Sequence, residues 1–522
     1  MLCKIISGAL DGVESFLVGV EVDVSDGLPC IEVVGHVNAQ VREAKERVRV
    51  AIKNSGISFP LKRITINLSP ANKRKEGSAF DLPISLGIMI ASEKIELGLF
   101  EGKVVLGELG LDGELKGIKG VLNIILEGKK QGFKEYIIPK QNVEETYEID
   151  DIKVYAYDSL NMLLGDARKG CLMDHRRDDG HNKQWDCNVN IEEIEEDFAD
   201  VQGQEVVKRV AEIAAAGFHN FLMVGPPGAG KTMIAKRMVG IMPSMSKEEV
   251  LEVSSIYSAA GLLQHGGGLI TSRPFVNPHH TISVQAMCGG GNHPKPGAIS
   301  LAHKGILFLD EMPEFKRGHL DLLRQPMEDK TIQIVRLHTN IKFPSDFMLI
   351  GAMNPCPCGH YPDRNKCNCT DFEIKRYVRN LSFPLLDRID MCVEIMKTMP
   401  NLMKGKLAFE SVGEKSSLIR RRVEAARAIQ RKRFANEEHG KGDLLWNGTL
   451  SSKHITKYCS LSEEANEYLR MHLDNQEETM RSYHKIVKVA QTIADLDNNS
   501  TIMGKHILEA LCYRNARNKH WS

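Results

Sequence analysis

The stretch FLMVGPPGAGKT, residues 221–232, constrains the fold more than any other part of the chain. Four apolar residues, Phe221 to Val224, read as a buried strand. The pattern Gly225-x-x-x-x-Gly230-Lys231-Thr232 follows, and a helical pattern begins at once. A strand that turns through glycines into a helix N-terminus aims backbone N–H groups at one point, where the helix dipole also favours an anion. Lys231 then offers a point charge to the β and γ phosphates, and Thr232 offers a hydroxyl to Mg2+. Gly225, Pro226, Pro227, Gly228, Ala229, Gly230, Lys231 and Thr232 form the candidate ATP cradle.

Two further apolar runs end in polar residues. In GILFLDEMPEF, Ile306 to Leu309 read as a second buried strand, with Asp310 and Glu311 at its C-terminal end, where α/β sheets place their ligands. Asp310 is the candidate holder of the Mg2+ shell, and Glu311 the group that polarises an attacking water. FMLIGAMN, residues 347–354, reads as a third strand and ends in Asn354, placed to hydrogen-bond the water or γ-phosphate. PLLDRID offers Arg388, and Arg481 opens a late helical segment. An arginine at the developing charge speeds γ-phosphate hydrolysis greatly and often comes from a neighbouring subunit, so Arg388 would imply a ring. For either arginine alone, a surface ion pair is the competing reading.

At 522 residues the chain is too long for one core. Lys+Arg and Asp+Glu both number 68, so any nucleic-acid contact would need a local patch or a pore rather than a global basic field. No apolar run reaches the ~18 residues that span a bilayer, and the N-terminus lacks a signal-peptide layout. A cytoplasmic protein without membrane contact is expected. The 12 cysteines are too few for a disulfide scaffold in so long a chain.

Residues 1–165 read as an α+β domain. SFLVGVEVDV alternates like a half-buried strand, Val41, Ala44, Val48, Ala51 and Ile52 recur at helical spacing, and Asp112-Gly113 marks a hairpin turn. Residues 166–197 are dense in charge and read mostly as an exposed linker. Residues 198–410 alternate strands and helices around a parallel sheet. Residues 411–522 read as helical, with Ile486, Val489, Ala490, Ile493 and Ala494 on one face.

Taken together these motifs resemble the AAA+ ATPases of the magnesium-chelatase-like branch, specifically the YifB/ComM family. The segments NPHHTIS, GAMNPCPCG, FPLLDRID and VAQTIADL carry the likeness, which runs end to end. The resemblance implies Asn354 as sensor 1, Arg388 as a trans arginine finger and Arg481 as sensor 2. It implies a homo-hexamer in the presence of ATP and a DNA motor, a helicase that drives branch migration when incoming DNA recombines in natural transformation. It also implies a Lon-protease-like domain at 1–165, an AAA+ core at 198–410 and a helical lid at 411–522. The alternative is a chaperone-like ATPase that remodels a protein partner, as magnesium chelatase motor subunits do. The chain departs from the family pattern at Gln491, Ala298 and Val284.

The Lon-type likeness makes Ser78 a tempting nucleophile. A Ser–Lys dyad needs a lysine to take the hydroxyl proton, and the matching position holds Leu122, so proteolysis is not expected. Lys73, Arg74 and Lys75 could meet phosphates or form a solvated loop. Residues 277–298, with His293 and Lys295, read as a surface loop or a pore insertion. Arg420, Arg421, Arg422, Arg427, Arg431, Lys432 and Arg433 read as a solvated helix or a DNA grip.

Four cysteines stand apart from the rest. Cys356, Cys358, Cys367 and Cys369 form C-x-C-x8-C-x-C within an insertion at 356–369, directly after Asn354. Four thiolates in a compact loop suit a structural Zn2+. Free or redox-sensing thiols are the alternative.

Overall fold

The computed structural model describes residues 2–35, 37–173, 196–263, 268–291, 294–336, 339–396, 413–435, 445–476 and 480–521. The first body is a seven-stranded mixed sheet. Its strands lie in the order Cys30–Val34, Arg63–Ser69, Glu14–Ser25, Leu2–Asp11, Lys103–Val105, Glu135–Pro139 and Lys153–Tyr157. Successive residues of its strands point to opposite faces, and each face has its own core. Val105, Ile137 and Tyr155 join helices Ala39–Asn54 and Asp81–Ala91, while Val104, Tyr136 and Val154 join helix Val121–Lys130. The expected face of the first helix, from Val41 to Ile52, is the buried one, and Asn38 caps it by accepting from the Val41 N–H at 3.0 Å. Gly113 closes the short hairpin at φ +87°, a left-handed backbone that glycine takes without strain.

Helix Leu160–Arg168 runs through the first residues of the segment expected as a linker, and 174–195 lie outside the described residues.

The second body is built on five parallel strands in the order Phe275–Val276, Ile306–Leu309, Met348–Met353, Phe221–Val224 and Met391–Glu394. The three central strands are buried at every residue, which explains why their sequences are continuous apolar runs without alternation. One face packs Phe221, Phe308 and Ile350 against helices Glu205–Gly217, Lys231–Ile241 and Met480–Leu496. The helices after residue 413 thus share one core with the sheet. The other face packs Leu222, Leu309 and Met353 against Met312, Tyr377 and Val378.

The two bodies meet along helix Lys247–Ala260. The Gly120 N–H donates to the Ser258 carbonyl at 3.1 Å, and Ser258 Oγ donates to Glu145 at 2.7 Å, with Ser258 and Glu145 both buried. Lys247 pairs with Asp150 at the rim. No described helix is long and apolar enough to cross a membrane.

Residues 277–298 carry more order than the expected loop. Ser283 caps a short helix, Val284–Cys288, and Gly289–Gly290 pairs antiparallel with Lys295–Pro296. Lys295 is exposed there, and His293 lies outside the described residues.

Candidate nucleotide site

The site is assembled at the C-terminal ends of three neighbouring parallel strands. Phe221–Val224 feeds the glycine loop, whose Gly228 and Gly230 sit at φ +74° and +88°. The chain enters helix Lys231–Ile241 directly from Gly230. Lys231 is buried, and its Nζ donates to the Gly225 carbonyl at 2.7 Å, the Pro226 carbonyl at 3.0 Å and Asn354 Oδ1 at 2.9 Å. Burial lowers its pKa, against the pull of Asp310 and Glu311. A cation held by three neutral oxygens keeps its full charge for an anion.

Thr232 Oγ1 donates to Asp310 Oδ2 at 2.6 Å, and the Glu311 N–H donates to Asp310 Oδ1 at 2.9 Å. Hydroxyl and carboxylate oxygens at this corner are the hard donors that Mg2+ takes. Glu311 itself has φ +48°, a left-handed backbone that non-glycine residues rarely adopt. Such strain concentrates where a side chain must be aimed. Its carboxylate is exposed and lies 3.9 Å from His280 Nδ1.

Asn354 follows strand Met348–Met353, with the buried phenol of Tyr377 beside its N–H; burial first and the nearby Glu314 charge next raise that phenol's pKa. His280 and Tyr377 were not singled out by sequence reasoning. The HH of NPHHTIS was the available signal for the first, and nothing marked the second.

The two arginines lie elsewhere. Arg388 Nη2 pairs with Glu328 at 2.7 Å, and Arg481 pairs with the same carboxylate and with Asp387 at 3.3 Å. Burial works to raise the Glu328 pKa, but the two guanidinium groups outweigh it and hold it low. Among the described residues neither arginine is joined to Lys231, Asp310 or Glu311.

Two basic readings need correction in part. Lys75 is fully buried with its ammonium on the Pro70 carbonyl, Arg74 pairs with Glu76 at 2.7 Å, and Lys73 sits 4.4 Å over the Phe16 ring. Lys75 is thus no part of a solvated loop or a phosphate surface, whereas Lys73 and Arg74 are exposed, as a solvated loop expects. Helix Ser416–Phe434 is solvated on one face, where Arg421, Arg422 and Lys432 are exposed, but several of its arginines are committed to partners within the chain. Arg420 pairs with Glu424, Arg422 with Glu212 and Glu414, Arg433 with Asp495, and Arg427 is buried 3.9 Å over the Trp446 ring. Ser78 meets Glu108 rather than a lysine, and Leu122 is buried in an apolar cluster.

The four cysteines of the insertion converge. Cys356, Cys358 and Cys367 sulfurs stand 3.4, 3.7 and 3.6 Å apart, and all four sulfurs lie within 4.8 Å of one another. Gly359, at φ +80°, turns this loop onto the glycine loop. A Cβ there would sit 2.4 Å from Pro227 Cδ.

Three family descriptions match the chain in order. Subunit ChlI of Mg-chelatase covers residues 20–142, magnesium chelatase subunit ChlI covers 197–403, and the subunit ChlI C-terminal region covers 413–514. The chain is 39% identical over 520 residues to competence protein ComM of Haemophilus influenzae, which spans 98% of this chain and 97% of that protein. It is 39% identical over 503 residues to the uncharacterized protein YifB of Escherichia coli, spanning 96% and 95%. A more distant likeness, 24% over 258 residues, links 45% of the chain to 44% of Lon protease 2 of Bacillus subtilis.

Proposed function

The chain belongs to the YifB/ComM family of magnesium-chelatase-like AAA+ ATPases, and from that premise we propose that it is an ATP-hydrolysing ring motor acting on DNA. The observation that carries the reading is the double convergence at the strand ends, Lys231 with Asn354 at 2.9 Å and Thr232 with Asp310 at 2.6 Å.

In this reading the backbone of Gly225, Pro226, Pro227, Gly228, Ala229 and Gly230 cradles the phosphates. Lys231 exchanges its carbonyl partners for the β and γ oxygens. Thr232 and Asp310 would hold Mg2+, which when bound neutralises charge on the phosphates. Glu311, aimed by its left-handed backbone, orients the attacking water and takes its proton. Asn354, whose side-chain oxygen already meets Lys231, fixes the water or the γ-phosphate.

Arg388 is engaged with Glu328 within its own chain, which suits an arginine presented to the next subunit's phosphate. Arg481 on the same carboxylate would report nucleotide state to that interface. The ring, a hexamer on family grounds, follows from this division. The regions of the proposal are a Lon-like body at 1–165, a linker at 166–197, an AAA+ core at 198–410 and a helical lid at 411–522. The name of the competence relative supports a place in recombination of incoming DNA, with branch migration as the motor's task.

The test is ATP hydrolysis by the purified chain with and without single-stranded and four-way-junction DNA, with Glu311→Gln as control. Stimulation by DNA that vanishes in the variant is expected. Robust hydrolysis indifferent to every DNA would move the assignment to a protein-remodelling ATPase.

A further inference from the structure

We propose that Cys356, Cys358, Cys367 and Cys369 bind one Zn2+ ion, and that the loaded clasp braces the nucleotide loop through Gly359 and Pro227. The coupling half of this inference rests on the Gly225–Thr232 loop being a nucleotide site; the metal half does not.

The sulfur geometry speaks for a single tetrahedral ion. Zn–S bonds of about 2.3 Å place tetrahedral sulfurs about 3.8 Å apart. Three of the separations, 3.4, 3.6 and 3.7 Å, lie close to that edge length. A disulfide needs about 2.05 Å, and a multinuclear cluster needs its ligands farther apart. Cys356 and Cys367 are buried, with their sulfurs 3.7 Å apart. The Tyr361 N–H points at Cys356 Sγ at 3.4 Å, the kind of outer contact that fixes a thiolate ligand. Binding would release the four thiol protons to solvent and leave a doubly negative centre. Arg364 donates to the Cys369 carbonyl at 3.0 Å and also pairs with Asp371, which ties the second C-x-C pair to the following helix.

The clasp has two mechanical attachments to the site. Upstream, Asn354 stands two residues before Cys356 and holds Lys231. Downstream, Thr370 follows Cys369 and caps helix Asp371–Val378, whose Tyr377 lies beside the Asn354 N–H. Between them, Gly359 rests on Pro227 with no room for a side chain. Without the ion these sixteen or so loop residues have only short-range hydrogen bonds to hold that corner, so metal and nucleotide should strengthen each other. Linkage makes the effect reciprocal, and a typical coupling is about tenfold.

The experiment uses the full-length protein purified without chelator. Elemental analysis should give one zinc per chain, and Cys358→Ser/Cys369→Ser should give none, while Cys30→Ser, at an exposed thiol in the first sheet, keeps it. Binding of a fluorescent ATP analogue should weaken about tenfold in the double variant. If that variant does not fold, wild type stripped by a zinc chelator and reloaded with Zn2+ serves instead, and affinity should fall and return. In chelator competition, the ATP analogue should tighten zinc retention by the same factor. Zinc-free protein with four reactive thiols, or iron in place of zinc, would overturn the metal assignment. Zinc at one per chain with nucleotide affinity unmoved by its removal would overturn the brace. Wild type that holds zinc but binds no nucleotide, like a Lys231→Ala control, would instead sink the ATPase reading and with it the coupling, leaving the metal site standing.

Discussion

The corner around Ser78 and the corner around Lys231 are built from similar parts and behave oppositely. Each sits where a strand or loop enters a helix, and each brings together a hydroxyl, a lysine and acidic groups. Around Ser78 every polar group is consumed. Lys75 is buried on the Pro70 carbonyl, Asp81 takes two hydrogen bonds from Arg47 at 2.8 and 2.9 Å, and Ser78 itself meets Glu108. The position where a base would be needed is Leu122, inside an apolar cluster. Around Lys231 the partners are neutral oxygens at the open ends of parallel strands, Asp310 is half-buried and accepts from Thr232, and Glu311 is exposed. The difference lies in whether partners can be exchanged for a ligand. The first corner is closed by its own side chains, while the second holds its lysine on carbonyl and amide oxygens that a ligand could displace.

The largest effects should test the second corner. Arg388→Ala is expected to lower ATP turnover about 10³-fold, because an arginine finger contributes on that scale. Since the finger and the cradle belong to different subunits in this reading, equal amounts of Arg388→Ala and Lys231→Ala protein should complement. About a quarter of interfaces in randomly mixed rings would join an intact cradle to an intact arginine. Activity regained on mixing two dead proteins would sharpen the comparison, and none regained would place Arg388 as a structural partner of Glu328. Next in size, Glu311→Gln should lower turnover about 10²-fold while keeping ATP affinity, since it removes a proton acceptor and leaves the cradle intact. Ser78→Ala should change neither turnover nor casein stability; casein cleavage that this substitution abolishes would break the contrast outright.

How much of this was legible in the sequence depended on the range of the cause. The three central strands read correctly because burial on both faces forces continuous apolar runs, as in ILFL and FLMV. The residues of the cradle were legible because a glycine loop between strand and helix fixes its own local geometry. Arg422 and Arg433 of helix Ser416–Phe434 were not legible as paired because a partner of each is remote. Glu212 lies about two hundred residues upstream of Arg422, and Asp495 stands on another helix from Arg433. Lys75 was misread for another reason: its charge suggested solvent, and only the fold shows it fully buried with its ammonium on the nearby Pro70 carbonyl. The contact of Gly359 with Pro227 has no sequence signal at all, since it joins two loops through bare van der Waals packing.

A smaller effect probes the first corner through pH. Burial raises the Asp81 carboxyl to about 6 from 3.8 and outweighs the two Arg47 hydrogen bonds. Because the folded value lies above the unfolded one, the stability from this group is full below about 3.8 and is lost as pH rises through about 6. Across that whole window the change is about 3 kcal/mol, of which about 1 kcal/mol falls between pH 7 and pH 5. Amide exchange in helix Asp81–Ala91, corrected for intrinsic rates, should therefore slow as pH drops from 7 to 5. Asp81→Asn should flatten the profile. In the second body Asp346 is the opposite case. Burial would raise it, but Lys330 and Lys304 hold it well below the usual carboxylate range. Its contribution is present at pH 7 and is lost only as pH falls below the unfolded carboxylate value, so helices near it should show no gain at pH 5. Parallel responses in both bodies would contradict the contrast between them.

The smallest expected effect lies at the seam that joins the two bodies. Ser258 Oγ bonds the buried Glu145 at 2.7 Å, while the Ser258 carbonyl accepts the Gly120 N–H at 3.1 Å. Ser258→Ala removes the first bond and spares the second. Glu145 keeps the Asn142 amide at 2.7 Å, so the loss should stay near the net value of one hydrogen bond, about 1 kcal/mol. That is about a fivefold faster exchange of amides that open only when the seam parts, above all the Gly120 N–H and the last turn of helix Lys247–Ala260. Basal ATP turnover should stay within about twofold, because the seam touches no group of the cradle. Faster exchange with unchanged turnover would mean that the first body is held by a few polar contacts of its own and can shift without disturbing the site. Exchange that does not change would mean that apolar packing around Leu251 and Leu269, which join the core of the first body, carries the docking by itself.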